Sequence, residues 1–349
     1  MNSRQIPPRQ GRQGFWDKLI AGFVLATSPI GLYYASPGCR SLAASASGIF
    51  GLLVLRVAER LSRPPHNGPH EFVKKDKKRG KRDEDDKILV CLGDSLTHGA
   101  CSANWVDDVE SSLMEQLQNN KTTAKLNVVN AGQNSICTHT VLHEKVSHVV
   151  ECKPDYVFIM IGSNDAMAIY RDDWAKEKMH TWNLSEKPNE DAIIRNLTDI
   201  VKQLLDQTTA VIAIGTLPPF GEDCNSKSNK VIHSINCRIK TLQYLFLGEI
   251  KNDSRETERV SVIDINSALW DEINIQRSKS NTKATHSVDM FLPYAMVMGL
   301  LHCVFGLSWN LSTRLLTGNV VLSESLHLNE DGGHIVRNEV VQWLVDKMK

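Results

Sequence analysis

"KILVCLGDSLTHG", Lys87 to Gly99, sets the frame for the rest of the chain. An apolar run of one strand's length breaks at Gly93-Asp94, a pair of turn formers, and a serine follows before a segment of helical character. Ser95 in that place either caps a short helix with its hydroxyl or stands at a strand end as a nucleophile. Four more runs have the same make-up: "KLNVVNAG", "DYVFIMIG", "TAVIAIGTLPP" and "RVSVIDIN". Helical stretches around 103–119, 139–150, 190–207, 228–250 and 331–348 alternate with them. Short β-branched runs alternating with helices predict an α/β fold of three layers, α/β/α, around a five-stranded parallel sheet. Such sheets bind ligands beyond the carboxyl ends of their strands. The residues to watch are therefore Gly93-Asp94-Ser95, Asn130-Ala131-Gly132, Gly162-Ser163-Asn164-Asp165 and Thr216-Leu217-Pro218.

Composition narrows the function classes. With 42% of 349 residues hydrophobic and 23% charged, the chain can bury one large core or two small ones, which excludes global disorder. Lys plus Arg and Asp plus Glu stand at 40 each, so no net field attracts nucleic acid. The eight cysteines (Cys39, Cys91, Cys101, Cys137, Cys152, Cys224, Cys237, Cys303) lack C-x-x-C spacing and read as free thiols rather than a zinc site or disulfide scaffold. Five N-x-S/T sequons (Asn120, Asn183, Asn196, Asn252, Asn310) carry little weight, since about three arise by chance in such a chain. No internal repeat is present.

Residues 1–65 are of a different character. A basic start (Arg4, Arg9, Arg12) precedes two uncharged runs, Leu19 to Gly38 and Ser41 to Leu55, joined through Pro-Gly-Cys-Arg. The expectation is an apolar helical N-terminal segment that anchors the chain to a membrane, against the alternatives of a transit peptide or a helical pair packed on the domain. Basic residues flank the pair on both outer sides, which favours a hairpin with both ends in the cytosol and a cytosolic domain behind it. A single crossing would put the domain on the far side. From Arg63 to Lys87, Pro and Gly give way to a lysine-arginine run and then an acidic cluster, and residues 66–86 read as an exposed charged linker. The third region is 87–349.

The strand ends carry the chemistry. Ser95 in "GDSLTHG", Gly132 in "NAGQNS", Asn164 in "GSND" and His327 in "ESLHLNEDGG" follow one another in that order. With these four blocks the segment from Lys87 to Lys349 resembles the SGNH, or GDSL, hydrolase family, which implies a flavodoxin-like α/β hydrolase domain. A hydroxyl becomes a useful nucleophile only when a neutral imidazole takes its proton, which is the role the resemblance gives His327. Attack on an ester carbonyl creates an oxyanion, and the backbone N–H groups of Ser95 and Gly132 and the amide of Asn164 would supply three donors. Gly132 has no side chain to block the carbonyl.

The last block departs from the family pattern. Where the family has Asp three residues before its histidine, this chain has Glu324, one methylene longer. A competing frame, Asp331 with His334, has the usual spacing, but "HLN" followed by Gly332 favours His327, with Glu324 orienting the ring. Asp331 would then suit the start of the terminal helix. His139 and His143 stand four apart on an expected helix, yet no third metal ligand accompanies them. "MFLPYAMVMGLLHCVFGLSW", Met290 to Trp309, is uncharged. A membrane crossing there would separate the fifth strand from His327, which leaves a buried helix or an apolar lid whose methionines adapt to acyl chains. The expected protein is thus a membrane-associated serine esterase or lipase acting on a small or lipid-like acyl ester, without metal or organic cofactor and without nucleic acid. An acyltransferase or carbohydrate deacetylase with the same residues, and a catalytically silent membrane scaffold, are the alternatives. The sequence does not set the oligomeric state.

Overall fold

Each of the five apolar runs forms a strand of one parallel sheet: β1 (Lys87–Gly93), β2 (Leu126–Gly132), β3 (Tyr156–Met160), β4 (Val211–Gly215) and β5 (Val260–Ile263), in the order β2-β1-β3-β4-β5. The computed structural model describes residues 52, 57, 59–61, 63–79, 86–117, 125–248, 259–280 and 288–348. In the register, Gly93 pairs with Gly132 on one side and with Met160 on the other, so three strands end level. The winding direction reverses between β1 and β3, and that reversal opens a crevice beyond their carboxyl ends.

Period-two alternation sorts the strand side chains into two cores. Ile88, Val90, Leu92, Val157, Ile159, Ile212 and Ile214 face one layer of helices, while Leu89, Cys91, Tyr156, Phe158, Met160 and Ala213 face the other. Both faces are covered, which is why these strands read as continuous apolar runs. Helices are numbered α1 (Pro69–Arg79), α2 (Ser95–His98), α3 (Val109–Leu117), α4 (Thr138–Glu144), α5 (Val146–Glu151), α6 (Ser163–Tyr170), α7 (Asp172–Thr181), α8 (Glu190–Gln207), α9 (Lys227–Gly248), α10 (Ile265–Ser280), α11 (Phe291–Phe305), α12 (Trp309–Leu316) and α13 (Glu330–Met348). Helices α4, α5, α8 and α9 feed the first core and α3, α10 and α13 the second. In α8 the Asn189 side chain caps the Ala192 N–H at 2.8 Å, and Ile193, Leu197, Ile200, Val201 and Leu204 form its buried stripe.

Three departures from expectation have physical causes. The stretch expected as one helix over 139–150 is two, because Lys145 (φ −113°, ψ −29°) breaks the helical path between α4 and α5. The supposed linker contains α1, whose Phe72 and Val73 pack against the first core. Just before it, the Asn67 carbonyl accepts from Asn130 N–H at 3.1 Å, so this segment is tied to edge strand β2. Met290 to Trp309, where a buried helix or an apolar lid is expected, holds α11 and the start of α12, and only some of its described side chains are buried. One side holds buried Met298 and faces Val57 and Leu61, which a Cβ added at Gly299 would meet at 3.6 Å, while Val297, Val304 and Phe305 face outward. Among the described residues no helix is long and apolar enough to cross a membrane. The run Leu19 to Gly38 and, but for Leu52, the run Ser41 to Leu55 lie outside the described residues, as do Asn120 and Asn252.

Candidate active site

The opening question has a geometric answer: the cap of α2 is Asp94. Its carboxylate accepts from Leu96 N–H at 3.0 Å, and its carbonyl accepts from Thr97 and His98 N–H at 3.2 and 2.9 Å. Gly99, at φ +80°, closes the turn by donating to Ser95 O at 3.2 Å. The turn fits because Gly93 is a glycine. A Cβ there would stand 2.2 Å from Thr97 Oγ1 and 2.5 Å from the Met160 carbonyl. With the cap supplied by its neighbour, the Ser95 hydroxyl is left for another partner. As first residue of α2, its N–H has no acceptor within that helix.

The partner is His327. Its Nε2 lies 3.0 Å from Ser95 Oγ, and its Nδ1 is hydrogen-bonded to Glu324 Oε1. A carboxylate only accepts, so Nδ1 carries the proton and Nε2 is the lone-pair nitrogen facing the serine. Glu324 Oε1 also accepts from the His327 N–H at 3.2 Å, and Oε2 accepts from the Ser323 hydroxyl. Both oxygens are engaged, which restrains the extra methylene. Burial by itself would lower the His327 pKa, but the Glu324 charge and hydrogen bond outweigh it, with help from Asp94, and hold the imidazole above its usual range. Burial pushes Glu324 upward; the His327 charge and the bonds from His327 and Ser323 outweigh it and leave the carboxyl below its usual value. Asp94, fully buried under the turn, is pushed by that burial up to about 6. Asp331 and His334 are exposed on the first turns of α13, and Ser95 is met by His327 instead.

Of the three expected oxyanion donors, the Gly132 N–H is engaged, and Asn164 is engaged through one of its two amide hydrogens. Asn164, in the first turn of α6, gives one amide hydrogen to Ile136 O at 3.1 Å, which fixes the rotamer and leaves a second hydrogen unassigned. Gly132 N–H donates 2.9 Å to Asn130 Oδ1, and Asn130 Nδ2 in turn donates 2.9 Å to Thr97 O. The reason for a glycine differs from the one expected. A Cβ on Gly132 would lie 2.3 Å from His98 N and 2.6 Å from His98 Cα, so the end of β2 abuts the backbone of α2. Next to Asn164, Asp165 accepts from Thr138 N–H (3.0 Å) and Oγ1 (2.8 Å), and burial lifts its pKa to about 6.

The histidine sits on a hairpin-like loop, residues 320–329, closed by a bridge between Leu322 and Leu328 and by Ser323 N–H donating to His327 O at 2.7 Å. Several residues that the sequence did not single out hold this loop. Ser102 Oγ donates to Leu328 O at 3.3 Å, Asn319 Nδ2 to Glu324 O at 2.8 Å, and Thr317 Oγ1 to Ser323 O at 2.9 Å. Glu222, buried after β4, accepts from Val320 N–H (2.8 Å) and Val321 N–H (2.8 Å) and pairs with Arg277 (2.7 Å). A lone "GED" after "LPPF" has no periodicity to mark it; only the tertiary contact does. His139 and His143 do approach, with ring centroids 4.4 Å apart, but no group of three or more potential metal ligands gathers among the described residues.

Residues 91–243 match the family model described as GDSL-like lipase/acylhydrolase. Among solved structures, the acetylxylan esterase Axe2 from Geobacillus stearothermophilus is 17% identical, over 73% of this chain and 93% of that one, with a TM-score of 0.46. The acetyl xylan esterase AlAXEase is 14% identical, over 73% of this chain and 98% of that one, at 0.47. No curated protein sequence matches.

Proposed function

We propose that this chain, whose residues 91–243 match the GDSL-like lipase/acylhydrolase family model, is an ester-hydrolysing enzyme of that family, that Ser95, His327 and Glu324 are its working triad and that its substrate is a lipid-like acyl ester. The observation that carries the reading is the unbroken relay from Glu324 Oε1 through His327 to Ser95 Oγ. Ser95 Oγ bonds to the ester carbon as its proton passes to His327 Nε2. The carbonyl oxygen takes the negative charge, and Ser95 N–H and the free amide hydrogen of Asn164 stabilise it. Gly132 N–H joins them only by sharing or leaving its bond to Asn130. The carbon–oxygen bond to the alcohol then breaks as His327 returns the proton to the departing oxygen. A water, deprotonated by the same Nε2, releases the acid and frees the serine. Glu324 keeps Nδ1 protonated and offsets the imidazolium charge throughout.

Support for a lipid-like ester and a membrane site comes from where apolar surface is left open. Nine large hydrophobic side chains are exposed among the described residues, and five of them (Val297, Val304, Phe305, Leu311, Leu315) lie on α11 and α12. The described end of the N-terminal region, Val57 and Leu61, packs on this same α11, and the uncharged runs of the first 55 residues lead into it. An apolar segment and an exposed apolar helix face joined in this way fit attachment to a bilayer surface, with the basic flanks in the cytosol. The test has two arms. A fluorophosphonate probe should label the wild type and not Ser95→Ala. Lipid extracts from cells carrying wild type should show depletion of one ester class that Ser95→Ala restores. A folded wild type that stays unlabelled sinks the triad and points to a silent scaffold; a labelled enzyme that leaves lipids unchanged but removes sugar acetyl groups sinks the lipid reading.

A further inference from the structure

We propose that Glu222 is a positioning residue: its buried carboxylate gathers the N–H groups that open the 320–329 loop and thereby sets the distance from His327 to Ser95. The inference rests on the triad reading above. The nucleophile belongs to the sheet, at the end of β1, whereas the histidine hangs on a loop between α12 and α13 that no strand of the sheet carries. Their 3.0 Å meeting therefore depends on whatever ties the loop back to the sheet.

Glu222 supplies the tie from the β4 side. Its Oε1 accepts from Val320 N–H (2.8 Å), Val321 N–H (2.8 Å) and Leu322 N–H (3.2 Å), three successive amides converging on one oxygen. Its Oε2 accepts from Val320 N–H (2.9 Å) and from Arg277 Nη2 (2.7 Å). Successive N–H groups pointing inward form an anion-binding nest, and here the anion is a side chain. The Glu222 side chain is wholly buried, so its charge must be satisfied inside the protein, and the amides together with the guanidinium do so. The base of the tie is firm as well. Asn229 at the start of α9 accepts from Phe220 N–H at 2.8 Å and donates to the carbonyls of Phe220, Gly221 and Asp223 at 3.0, 3.0 and 2.8 Å. Gly221 N–H adds a direct bond to Ser325 O, at 2.7 Å, between the two loops. The path from β4 to the imidazole is thus a series of charge-assisted and backbone bonds, with Glu222, among the described residues, the one side chain that grips the loop by three consecutive residues.

The carboxylate touches neither Ser95 nor a substrate, so its loss should act on alignment and leave binding alone. Glu222→Gln keeps size and one acceptor oxygen but removes the charge and places an NH2 against N–H donors. The expected result is a fall in kcat of about 10- to 100-fold, the scale of an ångström-sized misplacement, with KM within about twofold and the phosphonate labelling rate of Ser95 falling by the same factor as kcat. Rates are to be taken per folded molecule, by calorimetry or circular dichroism, because a merely structural residue would reduce the folded fraction and leave the rate of each folded molecule alone. Glu222→Asp, charged but shorter, should fall between the two, and it replaces the glutamine variant under the same criteria if that variant does not fold. Wild type that is not labelled at all overturns the triad reading; wild type and a folded Glu222 variant labelled at equal rates with equal kcat overturn this inference alone.

Discussion

At the residue scale, the longer carboxylate three residues before His327 is accommodated. Glu324 folds back so that one oxygen reaches both the ring and the backbone N–H of His327 while the other takes the Ser323 hydroxyl. Because the imidazole is held above its usual range by this carboxylate, it stays protonated to a higher pH than a free histidine, whose pKa is about 6.5. Only the neutral ring can accept the serine proton. The acid limb of kcat/KM for the wild type should therefore lie above that value, activity rising with pH through it. Glu324→Gln removes the larger of the two charges that oppose burial and leaves only Asp94 against it, so the limb should shift to lower pH while the plateau drops by a few powers of ten. A pH–rate profile on a water-soluble ester checks both, and an unmoved limb would mean that another group sets the imidazole's pKa. On the same profile His334→Ala should match the wild type, since that residue is exposed on α13 away from the relay.

At the scale of elements, close approaches at glycines fix how loop, turn and helix meet. A Cβ on Gly332 would stand 2.2 Å from the Val321 carbonyl, a backbone atom in the grip of the loop, so Gly332→Ala should drive the first turn of α13 away from the 320–329 loop. Activity should fall on the order of 100-fold with a lowered melting temperature. Gly299→Ala is the contrast: its Cβ would meet Leu61 and Val57 at an ordinary 3.6 Å, and melting temperature and activity should stay near wild type. These contacts explain what could be read in advance. The five strands and α8, with its regular apolar stripe and Asn cap, were plain because their periodicity is local. The order of Ser95, Gly132, Asn164 and His327 was plain because each stands at a strand end or in a block of known pattern. The reason for Gly132 was not, since the His98 backbone comes to it from 34 residues away in sequence. Helix α6 is buried through most of its length and so has no polar stripe to reveal a helical period. Glu222 was silent because a carboxylate's worth there depends on amides almost a hundred residues further on.

For the whole molecule, the N-terminal region meets the α/β domain inside its described end. Leu61 O accepts from Asn134 Nδ2 at 2.6 Å, Arg60 Nη1 donates to Cys303 O at 3.3 Å, and Val57 and Leu61 bury against α11. Removing residues 1–51 should therefore leave a folded enzyme with near-normal turnover of a soluble ester, whereas removing 1–65 uncovers α11 and strips Asn134 of its acceptor. The longer deletion should melt at lower temperature or aggregate, which scanning calorimetry of the two proteins decides. Without residues 1–51, residual binding to vesicles should depend on the open helix face, and replacing Val304, Phe305, Leu311 and Leu315 together by serine should abolish it in a co-sedimentation assay. Equal binding of both proteins would assign that face to something other than lipid. A last consequence comes from the 232 residues that separate the two halves of the relay. A chain emerging from the ribosome exposes its serine before its imidazole, so a chain made only as far as the serine has a hydroxyl with no base to ionise it. On the proposed triad, esters in the surroundings of the nascent chain are thus safe until the segment that carries His327 has been made and has folded onto the sheet.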